Sequence, residues 1–462
     1  MTALRRLRRF AAGRGIALHT VQVHRAGQSV VEAACAPLTL RTPQRMYSVT
    51  KTLTGLAIGL LAGEGRLALD QPLCDHFPDL APFHPFVAAT TVRDALAMRG
   101  PHPSTTYKRY DGPWLESYFR VPPTHRPGTL FTYDTSGSYT LAALVERTAG
   151  VPLVDYLRPR LLDPIGASPG IRVLPGADGF ASGGSGLICT PDDLRRLAGL
   201  LLAGGRHDGE QVVPADFVAQ ATSPQADTSL QGWGDELAGG YGLQTWLPRS
   251  GGWLMFGLGG QIVHGDPTRD LSIVITADTQ ACPQGDQQLV DLVLGRLADA
   301  WVREHDAGGP ASGPEPGDAD GDLEWPAPPH AAAHAVPAPG RWLPEAGGTL
   351  GDAALLLDVD AEGGTLASEG PEGWTLPFAL GRPTTLPAPD LARATGVRGP
   401  AVVTAGWSAP GTLDLRVDVT GDELAVLRLR LVVDGAALTV RRQGYCEALA
   451  PGWNGSGSYA AA

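Results

Sequence analysis

Residues 304–339 constrain this fold more than any other stretch. They are dense in Pro, Gly, Ala and Asp and include Gly309-Pro310-Ala311-Ser312-Gly313-Pro314-Glu315-Pro316. Pro fixes φ and removes a backbone donor, Gly raises the entropy lost on ordering, and few apolar residues are present to bury. The stretch therefore reads as a flexible linker. It divides the 462 residues into a first domain over 1–303, a linker over 304–340 and a β-rich accessory domain over 341–462. His330 and His334 stand at helical spacing within the linker, but the prolines around them oppose a helix, and no metal site or cofactor is expected.

The two domains differ in pattern. Residues 16–35 form two β-rich runs about a turn at Ala26-Gly27-Gln28. Stranded segments return at 241–246, 253–264 and 271–276, with glycines inside the second, and an amphipathic helix over 287–302 closes the domain. Between these ends lie helical signals. One is an apolar run at i, i+3, i+4 spacing after Ser48, with one face buried. Others are a capped helix from about Thr91, a helix over 138–147 closed by Gly150, and a helix after Thr190-Pro191-Asp192-Asp193, which supplies an N-cap, Pro at the first position and early acids. Strands at both ends with helices between them indicate a mixed α/β (α+β) sheet protein. Beyond the linker, residues 413–419, 424–433 and 437–442 alternate in and out with an Asp434-Gly435 hairpin turn, which indicates an antiparallel β-sandwich or small barrel.

Composition excludes several classes. A hydrophobic fraction of 43% with 18% charged residues is that of a globular protein, and a net charge of -12 opposes general nucleic-acid binding. Arg5, Arg6, Arg8 and Arg9 are the exception and read as a solvated helix face. Arg14 and His19 interrupt what would be the apolar core of a secretory signal, and no segment has the length of a membrane span. The five cysteines are scattered and lack a C-x-x-C pair, which suggests reduced thiols in the cytoplasm.

Ser48-Val49-Thr50-Lys51 carries the chemistry. At the start of the apolar helix, three residues place hydroxyl and amine on the same side, one turn apart, beside the free N–H groups of the helix N-terminus. The only lysines are Lys51 and Lys108 in a chain otherwise charged by Arg. A Lys can lose its proton on burial and an Arg cannot. Tyr133, in a turn of small residues before a helix, is a second candidate. The polar, aromatic segment 100–126 has the character of a pocket frame, and Ser182-Gly183-Gly184-Ser185-Gly186-Leu187 reads as a close-packed loop rather than a phosphate cradle. Two competitors are weaker. Ser168 lies in a G-x-S-x-G pattern, but Pro169 has no N–H for an oxyanion. Thr105 and Lys108 repeat the Ser48 to Lys51 spacing on a polar loop.

Together, Met46-Tyr47-Ser48-Val49-Thr50-Lys51-Thr52, the 126–133 turn with Tyr133, the 182–187 loop and Gly257-Leu258-Gly259-Gly260-Gln261 resemble the serine β-lactamase and penicillin-binding-protein superfamily. The likeness is to its class C branch, which includes carboxylesterases, D-aminopeptidases and 6-aminohexanoate-oligomer hydrolases, and covers roughly residues 16–302. It implies a β-lactamase-like antiparallel sheet with a helical subdomain and a serine hydrolase mechanism. Ser48 would be acylated, Lys51 would take its proton, Tyr133 would relay protons, and the backbone N–H groups of Ser48 and Gln261 would hold the oxyanion. Gly259 and Gly260 would let substrate lie against the strand. Two positions depart from the family pattern: Thr135 stands where Asn is common, and Leu258 where Lys or His is common. Both changes point away from antibiotics and toward a small ester or amide substrate. The other reading is a catalytically weak binding or sensor protein that keeps the fold. The accessory domain is open between covering the pocket, forming a homodimer and binding a partner.

Overall fold

The two ends of the first domain meet in one sheet. The computed structural model describes residues 1–308, 323–331, 340–351, 353–388 and 390–462. After helix α1 (Ala3–Ala12), strands β1 (Ala17–Arg25) and β2 (Gln28–Ala34) form the expected hairpin. Helices α2 (Thr50–Gly63), α3 (Thr135–Ala149) and α4 (Pro191–Leu202) follow, then strands β3 (Trp253–Gly257), β4 (Gln261–Asp266) and β5 (Leu271–Asp278). The sheet order is β2-β1-β5-β4-β3, antiparallel throughout. The register from Ala17 opposite Asp278 to Arg25 opposite Leu271 joins the first strand to the last.

Strands β3 to β5 are buried along their whole length because both faces are covered. Alternate side chains go to opposite sides. Trp253, Met255, Val263 and Val274 enter a core shared with α2, α3 and α4. Leu254, Phe256, Ile262, Ile273 and Ile275 enter a second core with Leu7 of α1 and with Leu289, Val293, Leu297 and Trp301. Those last residues belong to the closing helix, which runs as α5 (Gly285–Leu292), a π-helical turn (Val293–Leu297) and α6 (Ala298–Asp306).

Three helix details refine the sequence reading. Helix α2 is buried from Thr50 to Leu61 on all sides rather than along one face, since its neighbours enclose it. Helix α3 begins three residues earlier than its apolar pattern suggests, because Asp134 caps it by accepting the Ser136 N–H at 2.8 Å, and it ends at left-handed Gly150. Thr91–Asp94 and Thr190–Asp193 both form capping boxes, as their sequences suggest.

The second domain is a ten-stranded antiparallel, barrel-like sheet. Its strands are β6 (Gly340–Pro344), β7 (Leu355–Val359), β8 (Gly363–Ser368), β9 (Trp374–Ala379), β10 (Thr384–Leu386), β11 (Ala401–Ala409), β12 (Thr412–Val419), β13 (Ala425–Asp434), β14 (Ala437–Tyr445) and β15 (Gly455–Ala461). They run in the order β9-β8-β7-β6-β15-β14-β13-β12-β11-β10, around a core that includes Leu366, Leu376, Val403, Leu415 and Leu427.

Part of the expected linker is packed rather than free. Trp325 is buried and donates its indole N–H to the Ala36 carbonyl at 2.7 Å, and Thr404 donates to the Pro326 carbonyl at 2.9 Å. Trp325 supplies apolar area that a Pro-rich composition conceals. His330 Nδ1 accepts the Trp407 N–H at 3.3 Å, while residues 309–322 and 332–339, His334 among them, lie outside the described residues. Among the described residues, no helix is long and apolar enough to cross a membrane.

Candidate active site

Ser48 lies in the turn that leads into α2, two residues before the helix begins. Tyr47, just before it, has φ 44°, a left-handed conformation costly for an aromatic residue. The local structure holds it there: its ring is buried beneath the Arg45 guanidinium, and its phenol accepts the Leu424 N–H from the second domain at 3.2 Å.

Lys51 is buried on the first turn of α2, and its Nζ has three neighbours: Ser48 Oγ at 3.0 Å, Thr135 Oγ1 at 3.2 Å and the Gly184 carbonyl at 2.7 Å. Burial pulls its pKa down from 10.5 to about 7, Asp134 and Glu447 oppose that fall, and Lys108 adds to it. A neutral amine has two hydrogens and one lone pair. The Gly184 carbonyl can only accept, and Thr135 can accept, so the lone pair is left for the Ser48 hydroxyl.

Tyr133 is half-buried and hydrogen-bonds to Ser48. Burial pushes its phenol up to about 12, against hydrogen bonds with Ser48 and Trp246, so it carries its proton at neutral pH. Its ring stacks on Trp246 at 5.5 Å and meets Trp233 edge-on at 5.0 Å, and the Lys51 ammonium lies 4.8 Å from its centre. Asp134 beside it is buried, which raises its carboxyl to about 6, while hydrogen bonds from Ser136 hold it down.

The Gly-rich loop is packed as its sequence suggests. A Cβ on Gly183 would come 2.4 Å from that of Ala142, and one on Gly184 would come 2.5 Å from Thr135 Cγ2. This close approach brings the Gly184 carbonyl to Lys51.

Gly259 and Gly260 do not lie inside a strand. With Leu258 they form the turn between β3 and β4, at φ 84° and 83°, because a three-residue reversal needs left-handed backbone there. Their N–H groups donate to the Asp286 carboxylate, which also accepts from Thr279. Gln261 follows the turn, opposite Gly257, whose backbone packs on the Met46 carbonyl two residues from Ser48. The buried side chain of Gln261 donates to the Ala277 carbonyl at 2.7 Å, which fixes this residue at the head of β4.

Ser48, Lys51, Tyr133 and Thr135 are thus brought together, with Gly257 at the end of β3, opposite Gln261, packed against the segment that carries Ser48. Ser168 is elsewhere: its hydroxyl donates to Asp193 at 2.8 Å, so it serves the capping of α4. Thr105 accepts the Thr135 N–H at 3.2 Å, placing the irregular 100–126 segment at the pocket. Sequence reasoning missed Gly184, Trp246, Asp134 and Glu447. Asp134 alone had a local signal, as an N-cap candidate.

A serine in the turn before a helix and a buried lysine on that helix's first turn, beside an antiparallel sheet with helices on both faces, define a serine-lysine class of fold and site. The chain belongs to the Beta-lactamase family, whose model matches residues 5–295. It is similar to a 6-aminohexanoate-dimer hydrolase of Paenarthrobacter ureafaciens, 26% identical over 252 residues, which are 50% of this chain and 64% of that protein. The match therefore spans less than two thirds of that relative. Two solved structures share the fold. The octameric penicillin-binding protein homologue from Pyrococcus abyssi has TM-score 0.51 at 15% identity and covers 98% of this chain and 99% of its own, so the likeness includes the second domain. A penicillin-binding protein homologue from Caulobacter crescentus has TM-score 0.50 at 18% identity, over 63% of this chain and 96% of its own.

Proposed function

We propose that this chain is a serine hydrolase that acts through an acyl-enzyme on small ester or amide substrates. The observation that carries the reading is the 3.0 Å contact between Lys51 Nζ and Ser48 Oγ, with the Lys51 pKa near 7. Neutral Lys51 takes the hydroxyl proton as Ser48 Oγ bonds to the carbonyl carbon. The oxyanion is held by the N–H groups of Ser48 and Gln261, each worth about 3 kcal/mol in such sites. Collapse breaks the bond to the leaving group, which takes a proton from the Tyr133 phenol, and Lys51 returns one to Tyr133. Water then attacks the acyl carbon with the same groups acting in reverse.

The substrate-facing end supports neutral acyl groups. Thr135 Oγ1 is engaged with Lys51, and Leu258 offers no charge to a substrate carboxylate, which disfavours β-lactams. The name of one relative, a 6-aminohexanoate-dimer hydrolase, agrees with a hydrolase of small molecules. Cys74, Cys189, Cys282 and Cys446 form no disulfide among the described residues, which supports a cytoplasmic setting. A fluorophosphonate probe should label the protein, Ser48→Ala should abolish the label, and p-nitrophenyl esters should turn over where nitrocefin does not. Absence of labelling from neutral to alkaline pH would overturn the proposal.

A further inference from the structure

The arginines of α1 do not all face open solvent. Arg5, Arg8 and Arg9 line one wall of a cavity of about 1030 Å³ between α1, the packed segment 323–329 and the outer face of the second-domain barrel. From the barrel side come Arg416, Arg428, Arg430 and Arg441, and among the described residues the lining carboxylates are Glu324, which pairs with Arg8 at 3.5 Å, and Asp414. The chain as a whole carries a net charge of -12, so this concentration of guanidinium groups runs against its overall balance.

Register makes the arrangement costly. On adjacent strands Arg416 stands directly opposite Arg428, and Arg430 directly opposite Arg441. Like charges in such pairs destabilise a sheet. Two of the four are compensated: Arg416 pairs with buried Asp418 at 2.6 Å, and Arg430 pairs with Asp414 at 2.7 Å. Arg428 and Arg441 make no ion pair with the described residues. Arg428 lies over the Tyr445 ring and reaches toward Gly15 in the first domain, close to where Arg416 donates to the Gly15 carbonyl at 2.7 Å.

We propose that this cavity binds a small polyanion, a molecule carrying two or more phosphate or carboxylate groups, and that the ligand bridges α1 and the barrel. Guanidinium forks match both groups bidentately. The volume is that of an organic ligand and exceeds what a single inorganic ion would fill. A nucleic acid is disfavoured by the overall net charge of -12. None of the lining residues belongs to the Ser48 site, so the proposal stands or falls separately from the hydrolase reading.

The test is calorimetric titration of the full chain at low salt with tripolyphosphate and with citrate, alongside thermal melts. Saturable one-to-one binding of either probe is expected, and the probe that binds identifies the group being read. The double variant Arg428→Gln, Arg441→Gln should weaken binding by about tenfold or more. With no polyanion it should melt at or above the wild type, because both like-charge pairs are relieved, and added polyanion should raise the wild-type melting temperature more than the variant's. Should the double variant fail to fold, Arg9→Gln on the opposite wall tests the same loss of affinity. No saturable binding of either probe, or unchanged affinity in the variants, overturns the proposal.

Discussion

The backbone N–H of Leu424 donates to the phenolic oxygen of Tyr47 at 3.2 Å, joining the second domain to the residue before the proposed nucleophile. Both residues are buried, and Tyr47 holds a left-handed backbone conformation. The contact is reinforced nearby: Arg45 donates its N–H to the Gly421 carbonyl at 2.8 Å, and Gln280 donates to the Leu424 carbonyl at 2.9 Å. The barrel therefore forms part of the frame around Ser48.

Tyr47→Phe keeps the ring but leaves the Leu424 N–H buried without an acceptor. The expected loss is about 1–3 kcal/mol of unfolding free energy, the usual cost of orphaning a buried donor. Urea denaturation with the native slope retained checks it, and an unchanged midpoint would show that the domains hold together without this bond.

Lys51→Arg should be nearly as damaging to ester turnover as Ser48→Ala. A guanidinium cannot give up its proton, so the base is lost while positive charge remains. The expected drop is about 10²–10⁴-fold in kcat. Turnover of Lys51→Arg close to wild type would remove Lys51 as the base. Tyr133 could not easily replace it, since its proton is held up to about 12.

The sequence made some of this legible and hid the rest for identifiable reasons. The Ser48 to Lys51 pair, the N-terminal hairpin, the capped helices and the β-rich second domain were readable because each rests on local spacing, period or capping chemistry. The glycines at 259 and 260 were misplaced into a strand because a short turn between two apolar strands looks continuous in a linear pattern. The Gly184 carbonyl and the Trp246 indole carry no local mark of their role, since a loop and an aromatic become site components only when tertiary packing delivers them to Lys51 and Tyr133. Glu447, beyond β14, is separated from Lys51 by most of the chain and by the linker.

The acid limb of the pH profile should report Lys51. Its neutral form is the active one, so kcat/KM for a neutral ester should rise as pH climbs through about 7. Glu447 and Asp134 favour the charged amine, and Lys108 disfavours it. Glu447→Gln should therefore move the midpoint to lower pH and Lys108→Gln should move it to higher pH. Opposite shifts from two residues on different domains test the electrostatics directly, and movement in the same direction would refute it.

Asp278 offers a stability test at the domain boundary. It is fully buried at the end of β5, and burial pushes its carboxyl up to about 7, opposed by hydrogen bonds from Gln280 and raised further by Asp418. The unfolded carboxyl titrates near 3.8, so between about pH 4 and 7 the folded state binds the extra proton. The stability this group contributes is complete below that window and is lost as pH rises through it. Asp278→Asn keeps the shape and cannot ionise, so its stability relative to wild type should increase steadily from pH 4 to pH 7 and then level off. Chemical denaturation of both proteins across that range measures the difference. A constant difference would mean that Asp278 is ionised in the folded state, held by the nearby Arg416.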